Sequence, residues 1–63
     1  MQLEDIKWGS AYIERYNKEP VYAIRASHHG DIVGPGRVML LDAISADHYW
    51  GFAEDLSEMD FNA

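Results

Sequence analysis

No cysteine occurs anywhere in this chain of 63 residues, and that combination limits what it can fold into more than any other feature. A domain this short buries only about 60% of the surface its unfolded form exposes. Small domains usually compensate with disulfides, a metal or a partner. Without cysteine, disulfides and thiolate metal sites are both closed to it. What remains is a dense aromatic core, self-association, or stability gained on binding a target.

The core has its material. Trp8, Tyr12, Tyr16, Tyr22, Tyr49, Trp50, Phe52 and Phe61 are spread along the chain, and each can bury roughly 150–250 Å². This argues for a folded single domain over residues 1–63 and against intrinsic disorder. No apolar run approaches the roughly 20 residues of a membrane span. The opening residues Met1-Gln2-Leu3-Glu4-Asp5 lack the basic start and apolar stretch of a signal peptide. The expected location is cytoplasmic.

Charge is distributed unevenly. The formal net charge is −6, yet Met1 to Arg37 carries five acids and five bases. From Val38 onward there are six acids (Asp42, Asp47, Glu54, Asp55, Glu58 and Asp60) and no Lys or Arg. Such a field repels nucleic acid and attracts basic protein surfaces, speeding association by long-range steering. An ordinary solubilising acidic face is the competing explanation.

Hydrophobic spacing and breakers divide the chain. Over Trp8–Tyr16, a helix capped by Ser10 would place Tyr12, Ile13 and Tyr16 on one face, with Glu14, Arg15 and Lys18 solvated. Pro20 ends that element. Val21–Ala26 reads as a strand, with Val21, Ala23 and Arg25 on one face. His28-His29-Gly30-Asp31 and Gly34-Pro35-Gly36 read as turns. Arg37–Ile44 is a continuous apolar run, expected to pair antiparallel with Val21–Ala26. Beyond Ser45, a candidate N-cap, Tyr49, Phe52, Ala53, Leu56 and Met59 recur at helical spacing, predicting an amphipathic helix whose outer face is acidic. Gly51 and the late acids oppose that helix. The expected fold is therefore α+β: a small antiparallel hairpin or sheet packed against an acidic C-terminal helix, with a short N-terminal helix. An all-β barrel or meander, with Trp8–Tyr16 and His48–Phe52 extended, is the alternative.

Catalytic constellations are thin. His28, His29 and Asp31 carry metal-ligand chemistry, but neighbours along an extended chain point apart. Ser27-His28-His29-Gly30-Asp31 resembles the short His-His-Gly segment of some metallo-β-lactamase-fold hydrolases. The resemblance is confined to those residues and lacks the principal His-x-His-x-Asp-His ligand motif, so no site is carried over. Gly34-Pro35-Gly36 has no following Lys-Ser or Lys-Thr, and its proline removes a backbone donor that a phosphate loop would use. No serine has a nucleophile-elbow context. We expect a non-enzyme with no cofactor and no metal.

Five bases scattered among acids give no patch for direct nucleic-acid binding. The sequence favours a small acidic protein-interaction module that binds and modulates, and by expectation inhibits, a larger protein with a basic surface. In size and acidity the chain resembles small phage-encoded inhibitors that mimic nucleic acid with spaced carboxylates. A toxin–antitoxin antidote shares those traits. The binding residues expected are Asp47, Trp50, Glu54, Asp55, Glu58 and Asp60, with Trp50 the exposed anchor. The alternative function is a small structural or assembly subunit that forms a homo-oligomer.

Overall fold

The computed structural model describes residues 1–59. Five short strands form one antiparallel sheet: β1 (Ala11–Glu14), β2 (Pro20–Ala26), β3 (Val38–Asp42), β4 (His48–Gly51) and β5 (Leu56–Glu58). Their order is β4-β3-β2-β1-β5. Four strands run as a meander, and the last returns to pair with the first, Tyr12 opposite Glu58 and Glu14 opposite Leu56. Single 3-10 turns at Leu3–Asp5 and Ala53–Asp55 are the other regular elements among the described residues.

The expected acidic C-terminal helix is absent, and the α+β architecture is corrected to an antiparallel sheet. The segment from Ala46 to Met59 is a strand, a 3-10 turn and a strand. Its helical spacing arises because a one-turn connector sits between two strands, bringing Tyr49 and Leu56 to the same core from different elements. Gly51 shows why the strand prevails. A Cβ at this position would stand 2.6 Å from Leu40 Cδ1, so the glycine allows β4 to lie close against the fully buried Leu40. Ser45 caps no helix. It lies in a turn where Ala46 takes a φ of 64° and donates its N–H to the Asp42 carbonyl at 2.9 Å.

Nor is there an N-terminal helix over Trp8–Tyr16. Tyr12 and Glu14 alternate inward from β1 while Ala11 and Ile13 face outward, the period of two that a strand requires. The Ser10 carbonyl accepts the Ala23 N–H at 3.1 Å. Pro20 opens β2, a position where its missing N–H removes little from the ladder.

The central pair β2–β3 is antiparallel, with Val21 opposite Asp42 and Ala26 opposite Val38. Its register shifts between Ala23 and Arg25. This irregularity inserts Ile24 as an extra residue and turns Arg25 to the outer face, opposite Met39 and thus in line with Trp50. Simple alternation had placed Arg25 with the buried Val21 and Ala23. The core is Ile6, Tyr12, Val21, Ala23, Val38, Leu40, Ala53 and Leu56, with Met1 and Tyr49 packed against it. The sheet curls enough for the Tyr49 hydroxyl on β4 to donate to Glu14 Oε1 on β1 at 3.2 Å, although these strands are not neighbours. No helix among the described residues is long and apolar enough to cross a membrane.

Candidate functional site: an aromatic and acidic groove

The curl leaves a groove of about 470 Å³ between the end of β1 and the segment from β4 through the second 3-10 turn. Glu14, Arg15 and Tyr16 form one wall, and Tyr49 to Phe52 with Glu54 and Asp55 form the other. The walls are tied at two points. One is the bond from Tyr49 to Glu14, and the other runs from the Arg15 N–H to the Asp55 carbonyl at 2.9 Å.

Rings and charges alternate around this opening. Tyr16 is 75% exposed and Phe52 40%, far from the burial expected of core aromatics. Each carries a guanidinium: Arg15 lies 5.3 Å from the Tyr16 ring centre, and Arg37 lies 4.1 Å from that of Phe52. Arg25 sits 5.0 Å over Trp50. Such contacts contribute on the order of 0.5–1 kcal/mol at exposed positions and keep large rings in place without burying them.

The acids of the groove fall into two kinds. Glu14 is buried, and its carboxylate accepts from the Tyr16 N–H at 2.8 Å and from the Tyr49 hydroxyl. Glu54 and Asp55 form no ion pair among the described residues. Neither does Arg15, the one cation lining the groove among the described residues.

Beneath the groove lies a polar network centred on Asp42. Asn17 Nδ2 donates to Asp42 Oδ2 at 2.9 Å and to the Tyr49 hydroxyl at 3.1 Å. The Ile44 and Ser45 N–H groups donate to Asp42 Oδ1 at 2.8 and 2.9 Å. These donors, Asn17 foremost, hold the Asp42 carboxyl well below the usual carboxylate range. Glu19 is the exception in the network. Its Oε2 is buried and receives no hydrogen bond. The neighbouring Asp42 carboxylate can accept from Glu19 only when Glu19 is protonated, which raises the Glu19 pKa, with burial and the Asp42 and Asp47 charges adding to the rise. Burial, followed by Glu14 and Asp42, also raises the Tyr49 hydroxyl.

Of the residues expected to bind a partner, Trp50, Glu54 and Asp55 come together in this groove. Asp47 lies exposed in the β3–β4 turn, outside the groove lining. Glu58 lies on β5 beside a separate depression that also involves Lys7 and Met59. Asp60 lies outside the described residues. Glu14, Arg15 and Tyr16 were missed as groove residues because their opposite wall is some 35 positions later in the chain. Local periodicity carries no sign of that pairing.

The histidine turn is held by its aspartate. Asp31 accepts from both Arg25 guanidinium nitrogens at 3.1 Å and from the His28 N–H at 2.8 Å. These bonds, Arg25 first, hold Asp31 at about 2. Both Asp31 oxygens are thus engaged in closing the loop. Among the described residues no group of three His, Cys, Asp or Glu side chains could hold a metal ion.

Comparison with protein-family models, with curated proteins and with solved structures finds no match to this chain.

Proposed function

We propose that this chain is a small protein-interaction module that binds and modulates, as an inhibitor, a larger protein with a basic surface. One observation carries the reading: the groove sets exposed aromatic rings beside Glu54 and Asp55, carboxylates without a cationic partner among the described residues. Aromatic anchors supply affinity at such interfaces, while carboxylates supply orientation and rate. The net charge of −6 adds steering toward a basic target. A nucleic-acid-binding protein is the partner class with the required surface, and carboxylates in place of phosphates would compete for it.

The test is affinity capture of the tagged chain from lysate of its source at low and high salt, with nuclease present. The expected result is one basic protein, lost at high salt and indifferent to nuclease. A partner retained through high salt, or released by nuclease, overturns the reading.

A second reading, assembly into a homo-oligomer, is supported by the outer face of the sheet. Tyr22 and Ile24 are about two-fifths exposed there, with Met39, Leu41 and Trp50 half-buried beside them. A molecular mass in solution above that of one chain would favour this reading.

A further inference from the structure

The reading above leaves open which chemical group of the partner enters the groove. We infer that it is an arginine side chain of a partner protein's segment, and that Arg15 is the chain's own competing occupant. This inference rests on the proposed interaction function and adds the ligand class and a means of regulating access.

The first ground is how the chain uses its own cations. All three of its arginines sit over aromatic rings, two of them at the groove: Arg15 on Tyr16 and Arg37 on Phe52, while Arg25 covers Trp50 on the outer face of the sheet. Neither lysine, Lys7 or Lys18, does so among the described residues. A guanidinium offers a flat face to a ring and a fork of donors to a carboxylate at once. An ammonium is a compact, strongly hydrated point charge and satisfies such a mixed site less well.

The second ground is charge. Of the three carboxylates in the lining, Glu14 is occupied by Tyr16 and Tyr49. Glu54 and Asp55 remain for an incoming cation. A volume of about 470 Å³ lies toward the small end of ligand pockets, roughly 300–1,000 Å³. It suits one or two side chains better than a folded surface.

The third ground separates Arg15 from the other two arginines. Arg25 is held by a two-pronged bond to Asp31. Arg37 follows the loop neck, where its N–H donates to Ser27 Oγ at 2.7 Å. Arg15 is exposed, lines the groove and is anchored through its peptide N–H to Asp55. Its side chain can therefore swing away while the wall stays in place. A partner arginine must displace that side chain from the Tyr16 ring, so Arg15 lowers affinity for cations and favours ligands that also engage the rings.

The experiment is a chemical-shift titration of the isotope-labelled full chain with two capped peptides, identical except that one carries arginine where the other carries lysine. Spermidine serves as a cation without aromatic-stacking geometry. The wild type, Arg15→Gln and the double variant Glu54→Gln/Asp55→Asn are compared, each first shown to keep the wild-type spread of amide shifts. We expect saturable shifts confined to residues 14–16 and 49–55. The arginine peptide should bind at least ~3-fold tighter than the lysine peptide. Arg15→Gln should tighten binding by about 3-fold, and the double variant should weaken it by about 10-fold.

Equal binding of the two peptides, or equal binding of spermidine, overturns the arginine assignment. Unchanged affinity in Arg15→Gln overturns the competing-occupant role. Shifts spread over the surface without saturation overturn the groove as the site. None of these results decides whether a basic protein is captured in a salt-sensitive manner, so the two proposals fail separately.

Discussion

Two sets of carboxylates in this chain meet opposite circumstances. Asp42 and Glu14 are buried, and each oxygen of Asp42 has at least one hydrogen-bond donor directed at it from the described residues. Glu54 and Asp55, at the groove, are exposed or half-exposed and have no cation within ion-pair distance among the described residues. The first set links the β1–β2 turn, the β3–β4 turn and β4, so folding depends on it. The second set contributes little to folding and stands beside rings that a packed core would have taken in. Residue type is the same in both, and the supply of donors separates the acids built into the fold from those left facing solvent.

Removing Asp42 should produce the largest effect. Asp42→Ala strips acceptors from Asn17 and two backbone N–H groups, and thermal melts should show a midpoint lower by about 10 °C or more. A midpoint within about 2 °C of wild type would place Asp42 with the groove acids. Gly51 joins the two regions, lining the groove on one side and touching Leu40 on the other. Gly51→Ala forces its methyl against a fully buried side chain and should cost about 1–3 kcal/mol by chemical denaturation. A neutral result would show that β4 can move outward and that the groove is adjustable.

Glu54→Gln/Asp55→Asn should change stability by less than about 0.5 kcal/mol, while weakening a basic partner by about 10-fold. The smallest effect falls on Glu19, the one acid of the buried network without a donor. Glu19→Gln supplies an N–H to Asp42 and should raise the midpoint by a few degrees, about 2–4 °C, at neutral pH.

The pH dependence sharpens the same contrast. Asp31, held at about 2, contributes stability that is complete above the ordinary carboxylate range and is lost as pH falls through about 2. Asp42 acts in the same sense. Glu19 acts in the opposite sense: its contribution is complete below its ordinary value of 4.5 and is lost as pH rises through its raised folded value. Melts across this range should show stability greatest on the mildly acidic side for wild type. Glu19→Gln should remove the loss on the alkaline side of that maximum and leave the acid-side loss unchanged.

Much of this was out of reach of a linear reading, for identifiable reasons. The β2–β3 pairing was legible because Val21–Ala26 and Arg37–Ile44 are β-branched and apolar runs set off by Gly and Pro turns. The segment His48–Met59 was not. A strand, a one-turn 3-10 connector and a second strand imitate the spacing of a helix, and the contact that rejects the helix, Gly51 on Leu40, is tertiary. Glu14 looked solvated because a charged residue in β1 is buried only if distant donors reach it, and Tyr49 lies 35 residues away. The bulge at Ile24 left no mark in composition, yet it directs Arg25 to Trp50. Charge and aromaticity alone single out Trp50, Glu54 and Asp55, three residues that the fold brings to the groove. They do not single out the wall opposite.

The most direct test measures stability and partner affinity together in Glu54→Gln/Asp55→Asn, at low and high salt. The expected result is a wild-type unfolding midpoint, affinity for the basic partner reduced about 10-fold at low salt, and a shallower dependence of that affinity on salt. Unchanged affinity with unchanged stability would contradict it, because the groove acids would then serve neither the fold nor the partner.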